Sequence, residues 1–465
     1  MISFSSIDLF VIFLFFSTLI LIGFYSGRRT KNTADDFLLS SRSLTLFLFI
    51  AVNVSTWYGG ILGVGEFTYR FGLVSWVTQG LPYYLFALLF GIFFAKKIRE
   101  TSLFTIPDKI EKVYGKNASL LSGIVVFVLV SPAPYLLMTS SLLSLVLKLP
   151  IIISLILSLT VSLVYLITGG YRANIFTDVF QFFVMFIGFL LVVIYSFLNV
   201  GDINFIVKSV PSTHLELGGG MSTSYLIVWF LIALWTFADP GFHQRCYAAK
   251  NSNIARKGIL ISILFWIAFD FLTTTTGLFT RAVLPNLINP VLSFPLFAEK
   301  ILPSGLKGIF FAALFATIIS TQISFLFLSG TTIGRDFIFR IRKDRDDSKL
   351  KSYTVFGLII SGIIAIALAY FIPSVIEIWY TIGSIFIPAI ILPVISAYYP
   401  KLIISPKIIL MEMILAVFGS AFWYYFRETQ TGILNEVEPM IIGLSIAIIF
   451  HSAGLLRKFF SFNQG

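Results

Sequence analysis

The chain has 465 residues, 57% of them hydrophobic and only 12% charged, with a mean hydropathy of +0.94. This composition excludes a soluble globular domain and indicates an all-α polytopic membrane protein in a lipid bilayer. The net charge of +11 lies in connections between apolar runs, so it does not call for a nucleic-acid partner. Cys246 is the only cysteine, which excludes an intramolecular disulfide and a zinc cluster.

Apolar runs predict about thirteen transmembrane helices within one domain, 1–465. If these spans alternate in direction, most of the 33 Lys and Arg residues fall in the connections on one side. The positive-inside rule then predicts a multi-pass protein of the cell (inner) membrane, with its N-terminus outside and its C-terminus in the cytoplasm. The predicted spans are 7–27, 44–67, 73–98, 118–147, 150–169, 173–199, 222–245, 256–282, 306–336, 353–372, 375–399, 406–426 and 437–456.

The second span is interrupted near its middle, where Asn53, Ser55 and Thr56 precede Gly59 and Gly60. Glycines lower helix propensity and favour a break. A small-residue packing motif would explain the glycines, but it would not explain the polar residues beside them. Non-helical backbone at membrane depth is tolerated where it lines a cavity, so the pattern predicts a discontinuous helix.

The seventh span breaks in the same way, at Asp239, Pro240 and Gly241. Broken spans that are five apart are typical of two inverted repeats of five helices, each starting with a discontinuous helix. The predicted repeats cover 44–199 and 222–399, with one extra helix at 7–27 and two extra helices at 406–456.

Three acids lie well inside predicted spans: Asp178, Asp239 and Asp270. An ionised carboxylate at membrane depth is costly unless it is paired, hydrated or protonated. We expect Lys and Arg to be absent from the deep parts of the spans. The remaining partners are helix N-termini, a bound cation, a cationic solute or a proton, so the acids favour a protein that handles cations.

The ninth span carries hydroxyls at Thr317, Ser320, Thr321 and Ser324. Their i, i+3, i+4, i+7 spacing places them on one helix face. Such a stripe avoids acyl chains and faces another helix, water or an ion. Taken alone, it could equally bond back to its own helix or hold two helices together.

These features together resemble the sodium/solute symporter family, which is similar in fold to LeuT-type transporters. The matching segments are DFLLSSR at 36–42, the glycines and Tyr69 within 63–72, TIPD at 105–108, the glycines at 169–170, TDVFQ at 177–181, QR at 244–245 with AAK at 248–250, LPSGLKG at 302–308 and ISTQIS at 319–324. The resemblance implies a transporter rather than an enzyme. It also implies sodium-coupled import of a small organic solute by alternating access, and we expect the monomer to be the functional unit.

The resemblance places a sodium ion between the broken second span and the ninth span. The implied ligands are the carbonyls of Ala51, Val54 and Thr317 and the hydroxyls of Ser320 and Thr321. Five hard oxygens suit a small hard cation. Asp178 and Ser324 would lie along the ion path. Members with a second sodium carry a further hydroxyl where this chain has Ile323, so the resemblance implies one sodium per solute.

The implied solute pocket is aromatic and acidic, and we expect it to contain no Lys or Arg. Its residues are Asn53, Ser55, Trp57, Tyr58, Gln79, Asp239, Trp266 and Asp270. Members that transport sugars carry a lysine at the position of Trp266, so a sugar is disfavoured. The lining favours an ammonium group, and hence an amino acid or other amine, through charge pairing and cation–π contact. Asp239 could instead cap the half-helix after the break.

Two alternatives stay open at this point. The coupling ion could be a proton, with Asp178 or Asp239 titrating. The protein could also be a membrane sensor that transports nothing, although no signalling domain is appended. Sodium-dependent uptake without chemical change of the solute would distinguish symport from both.

Overall fold

A computed structural model describes residues 2–31, 33–342, 346–372, 375–430 and 432–462. These residues form helices joined by short connections, with one isolated β-bridge between Leu44 and Ala249. The α-helices are α1 Ser6–Gly27, α2 Ala34–Leu39, α3 Leu46–Ser55, α4 Ile61–Phe71, α5 Val74–Gln79, α6 Leu81–Phe93, α7 Ala95–Glu100, α8 Ile106–Tyr114, α9 Lys116–Leu129, α10 Ala133–Leu147, α11 Ile151–Asn199, α12 Ile203–Ser209, α13 Thr223–Ile232, α14 Pro240–Ala248, α15 Ser252–Val283, α16 Ser293–Ile301, α17 Leu306–Thr331, α18 Leu350–Phe371, α19 Val375–Tyr398, α20 Pro406–Phe426 and α21 Pro439–Phe462.

Eleven helical stretches of the described chain are long and apolar enough to cross a membrane. The prediction of an all-α polytopic membrane protein is therefore confirmed. The predicted fifth and sixth spans both lie in α11, which is non-helical at Gly170, where φ is 52° and ψ is −142°. Ser158 before this point bonds to Gln322, and Asn174 after it bonds to Ser324. A straight helix over that interval would extend about 24 Å, so the chain reverses at Gly170.

Both predicted breaks are present in the described structure. The second span consists of α3 and α4, separated by non-helical backbone at 56–60. In the seventh span, α13 leads into a 3-10 turn, Ala233–Phe237, and α14 begins at Pro240. Asp239 precedes α14 as its N-cap, because its Oδ1 accepts a hydrogen bond from the Phe242 backbone N–H at 3.0 Å. The capping role considered for Asp239 is thus seen in the structure.

Helix α17 forms the centre of the bundle, with most of its side chains buried. It packs against α1, α3, α10, α11, α14, α16 and α18 and continues as a π-helix, Thr332–Phe339. The extra N-terminal helix is fastened to its start, because the Asp8 carboxylate accepts bonds from the backbone N–H groups of Gly305 at 2.8 Å and Gly308 at 2.9 Å. The first helix therefore contacts the same element that carries the hydroxyl stripe.

The described N-terminal and C-terminal residues lie at opposite ends of the bundle. Ser3 bonds to Glu299, beside the start of α17. Lys458 donates to the Ile403 carbonyl at the other end, where α17 finishes. This arrangement requires an odd number of crossings, and which end faces the cytoplasm stays a prediction from the Lys and Arg distribution.

Candidate functional site

The break of the second span packs directly against the hydroxyl stripe. Thr321 Oγ1 donates to the Thr56 carbonyl at 2.9 Å. A Cβ on Gly59 would come within 2.3 Å of Thr321 Cβ, so only glycine allows this approach. Ala51 and Val54, whose carbonyl oxygens are the implied ligands, lie in the buried part of the half-helix α3. The structure therefore brings together the two elements that the sequence predicted to hold sodium.

The individual hydroxyls of the stripe have different partners. Thr317 Oγ1 donates back to the Ala313 carbonyl at 2.6 Å, as the alternative interpretation of the stripe described. Ser320 Oγ is buried and has no hydrogen-bond partner among the described residues, although it lies close enough to Asp178 to interact with it. An unpartnered buried hydroxyl is costly unless another ligand satisfies it. Ser320 is therefore the member of the stripe that most needs an occupant.

Asp178 and Ser324 meet at Asn174, on the buried side of α11. Asn174 Nδ2 donates to Asp178 Oδ2 at 3.1 Å and lies 3.0 Å from Ser324 Oγ. Asp178 Oδ1 has no hydrogen-bond partner in the described structure. Asp178, Asn174 and Ser324 thus form one buried polar group between α11 and α17.

A separate cavity of about 310 Å³ lies on the other side of the same break. Five of the eight predicted solute residues border it: Trp57, Tyr58, Gln79, Asp239 and Asp270. Further aromatic walls come from Phe67, Trp76, Tyr83, Tyr135, Trp229, Trp235, Trp379 and Tyr380. The predicted combination of aromatic and acidic side chains is therefore gathered in one place.

The other three predicted solute residues do not border the cavity. Trp266 is fully buried and lies behind Trp57, with ring centroids 5.0 Å apart, so it supports the cavity wall. Ser55 donates to the Val52 carbonyl at 3.3 Å. Asn53 is fully buried, and neither atom of its amide has a partner in the described chain. A binding role for these three residues stays a prediction.

The two predicted acids of the cavity, Asp239 and Asp270, both already accept hydrogen bonds. Asp239 caps α14 through Oδ1, and Asp270 accepts a hydrogen bond from the Tyr84 hydroxyl. Sequence reasoning missed Tyr84, which is 186 residues away from its partner. Asp239 and Asp270 keep further acceptor capacity, because an ionised carboxylate has about four lone-pair directions.

The expectation that Lys and Arg avoid the deep parts of the spans is wrong for Arg245. Its side chain is buried and donates through Nη2 to Thr56 Oγ1, at the edge of the cavity. All residues of α14, which begins at Pro240, are buried, and this includes the arginine in its last turn. The Arg245 guanidinium therefore lies directly behind Thr56, outside the cavity but within electrostatic range of Asp239.

Opposite the cavity, the bundle end that carries most of the basic residues is closed. The Leu44 N–H donates to the Ala248 carbonyl and the Lys250 N–H to the Leu44 carbonyl, both at 3.0 Å. Beneath this bridge, Asp36 accepts from Arg172 at 2.7 Å. Burial disfavours the ionised carboxylate, but bonds from Ser41, Arg172 and the Lys31 N–H lower the pKa of Asp36 below its ordinary value.

A second group of ion pairs closes the same end beside α8. Arg340, which follows the π-helix at the end of α17, pairs with Asp108 at 2.8 Å and with Asp336 at 2.9 Å. Thr105, the N-cap of α8, also donates to Asp336 at 2.7 Å. These contacts leave the cavity separated from the basic end of the protein.

Comparison with known proteins gives a consistent result. The sequence model of the sodium:solute symporter family matches residues 37–406. A sodium/glucose cotransporter of Vibrio parahaemolyticus is 26% identical over 78% of this chain and 75% of its own length. A sodium/proline symporter of Staphylococcus aureus (strain JH9) is 26% identical over 77% of this chain and 74% of its own length. The high-affinity choline transporter 1 of Caenorhabditis elegans is 24% identical over 80% of this chain and 70% of its own length. A solved structure of a Na+-coupled sialic acid symporter superposes with a TM-score of 0.81 over 98% of both chains, at 16% identity.

Proposed function

Because the chain belongs to the sodium:solute symporter family, we propose that it imports a small organic solute, an amino acid or other amine, together with sodium by alternating access. The observation that carries this proposal is the position of Thr56. Its carbonyl accepts from Thr321 of the hydroxyl stripe, while the residue also borders the cavity. One short break in α3–α4 is thus shared by the proposed ion site and the proposed solute site.

The residues fit a sodium ion between α3 and α17. The proposed ligands are the carbonyls of Ala51, Val54 and Thr317 with the hydroxyls of Ser320 and Thr321. The unpartnered Ser320 Oγ supports this assignment, because a bound cation would satisfy it. All five atoms are oxygens, which hard cations prefer. When bound, sodium would supply an attraction that holds the two helices together.

Asp178 and Ser324 are proposed to line the ion's path from this site. Their position beside Ser320 supports that role. The alternative of a coupling proton rests on the same carboxylate, since Asp178 Oδ1 has no partner in the described chain and could hold a proton. Uptake driven by a sodium gradient at fixed pH, and unaffected by a protonophore, would decide in favour of sodium.

The closure of one end of the bundle supports the proposal of alternating access. The Leu44 bridge and the Arg340 ion pairs separate the cavity from the basic end of the bundle. If that end lies in the cytoplasm, as the Lys and Arg distribution predicts, the cavity is on the outer side of the closed contacts. We infer that release of solute requires the bridge between Leu44 and the end of α14 to open. α14 begins at Asp239 in the cavity wall, so it connects the solute site to this closure.

The crossing number and repeat organisation belong to the same proposal. The described chain has eleven long apolar stretches. One of them, α11, reverses at Gly170 and supplies two crossings. The broken span α3–α4 adds one more, which gives thirteen crossings. Breaks in the second and seventh of them support two five-helix repeats flanked by one and two extra helices. The proposed location is the cell membrane with the N-terminus outside, and the proposed functional unit is the monomer.

The amine is proposed from the cavity lining. Asp239 and Asp270 retain acceptor capacity toward an ammonium group, and the aromatic side chain of Trp57 borders the same cavity. Arg245 does not border the cavity but lies within electrostatic range of Asp239, so its positive charge would attract the carboxylate of a zwitterionic solute at a distance. This favours an amino acid over a simple amine.

The test is Asp239→Asn in proteoliposomes. Asparagine caps helices as well as aspartate does, so the substitution removes the charge and keeps α14 in place. We expect uptake of an amino acid solute to fall at least tenfold while sodium still raises the melting temperature. Normal uptake by the variant, or a wild-type preference for an anionic solute, would overturn the amine assignment. Absence of any sodium-driven uptake by the wild type would favour the sensor alternative.

A further inference from the structure

The two extra C-terminal helices contribute a charged group to the cavity. Glu438, at the start of α21, borders the cavity together with Tyr380 of α19. Glu438 Oε2 accepts from Arg427 Nη1, at the end of α20, at 2.7 Å, and it also accepts from the Tyr380 hydroxyl. The Arg427 guanidinium lies 5.6 Å from the centre of the Tyr380 ring. We call Glu438, Arg427 and Tyr380 the mouth cluster.

A second bond fastens the same part of α19 to the same pair of helices. Thr381 Oγ1 donates to the Tyr424 hydroxyl of α20 at 3.1 Å. Both bonds involve residues of α19 that precede Pro388. This proline lies inside α19 and removes one of its backbone hydrogen bonds. The segment 378–387 is therefore held by side chains of α20 and α21 at a point where its own helix is weakened.

This segment forms one wall of the cavity, and it reaches the break of the second span. Ile378, Trp379, Tyr380, Ile382, Gly383 and Ile387 all border the cavity. The Trp379 ring lies so close to Gly60 that a Cβ there would approach it to 2.2 Å. Gly60 follows Gly59, which packs on Thr321 of the hydroxyl stripe. A movement of segment 378–387 would thus displace Trp379 and change the packing of the break against Thr321 at the proposed ion site.

We propose that Glu438 is a positioning residue of the solute cavity. By holding Tyr380, it keeps the wall 378–387 in the open arrangement, with Trp379 against the break of α3–α4. The C-terminal helices, which lie outside the two proposed repeats, would then set how easily the cavity closes over a solute. This inference rests on the proposed function in that the cavity is taken to be the solute site.

The experiment measures access to the cavity without requiring transport. Ser131 borders the cavity between α9 and α10, so Ser131→Cys is the reporter for a membrane-impermeant maleimide in proteoliposomes. The natural Cys246 is fully buried, and the chain without the reporter gives the background. Tyr380→Phe and Glu438→Ala each remove the bond, whereas Glu438→Gln keeps an acceptor for Tyr380. Tyr370→Phe, on the exposed side of α18, is the matched control.

We expect labelling to slow at least threefold in Tyr380→Phe and Glu438→Ala, and to return to within twofold of the reporter alone in Glu438→Gln. The solute KM should rise at least threefold in the same two variants. Equal labelling rates in all variants, at equal melting temperatures, would overturn the proposal. If wild-type sodium-driven uptake were absent, the proposed function would fail, and the labelling rates would still test the mouth cluster.

Discussion

Replacing Ser320 by alanine tests the sodium site most directly. Ser320 Oγ is buried with no well-formed hydrogen bond among the described residues, although it interacts with the Asp178 carboxylate. Without sodium, Ser320→Ala should therefore change the free energy of unfolding by about 1 kcal/mol or less. With sodium, the variant lacks one of five proposed ligands. A bond to a charged group contributes about 1.5–3 kcal/mol, so the sodium Kd should rise roughly 10- to 150-fold.

The assay measures the melting temperature of the protein in detergent as sodium is titrated. Potassium replaces sodium to keep the ionic strength constant, and the buffer contains no choline. At a sodium concentration of about 100 Kd, ligand binding stabilises the folded protein by about 2.7 kcal/mol. A tenfold weaker site leaves about 1.4 kcal/mol and a hundredfold weaker site about 0.4 kcal/mol at the same concentration. The sodium-dependent part of the melting temperature should shrink in proportion.

Ser329→Ala is the matched control. Ser329 lies in the same helix and is also buried with an unpartnered hydroxyl, but it lies more than two turns beyond Ser320. It should keep the full sodium effect. Thr321→Ala should lose the sodium effect and also some sodium-free stability, because Thr321 bonds to the Thr56 carbonyl. An undiminished sodium shift in both Ser320→Ala and Thr321→Ala would refute the ligand assignment.

Two further predictions concern energetics. With one sodium per solute, a tenfold gradient and 100 mV supply roughly 3.7 kcal/mol, or about 500-fold accumulation; steady-state accumulation well above this value would show that a second ion is coupled. Asp8→Asn should lower the free energy of unfolding by about 1–3 kcal/mol, because it weakens charge-assisted bonds to the Gly305 and Gly308 N–H groups at the start of α17. An unchanged melting temperature for Asp8→Asn would show that the charge of Asp8 does not contribute to stability.

Local patterns in the sequence were sufficient for the membrane class and the two breaks, and adjacent residues also set the bounds of the short helix α8. Thr105 caps α8, and Gly115 ends it with φ at 85°, as a residue without a Cβ allows. The hydroxyl stripe on α17 follows from helical periodicity alone. These features could be predicted because each depends on residues that are neighbours along the chain.

The sequence by itself determined that the chain consists of membrane-spanning helices, that the second and seventh spans break, and which face of α17 is polar. Only the tertiary structure decided which side chains meet: Tyr84 with Asp270, Arg245 with Thr56 and Tyr380 with Glu438. The physical reason is that these partners are 186, 189 and 58 residues apart, on helices whose relative placement depends on how the whole bundle packs. Arg245 shows this most clearly, because the packing of α14 inside the bundle buries a guanidinium that the sequence predicted to lie outside the deep part of the span.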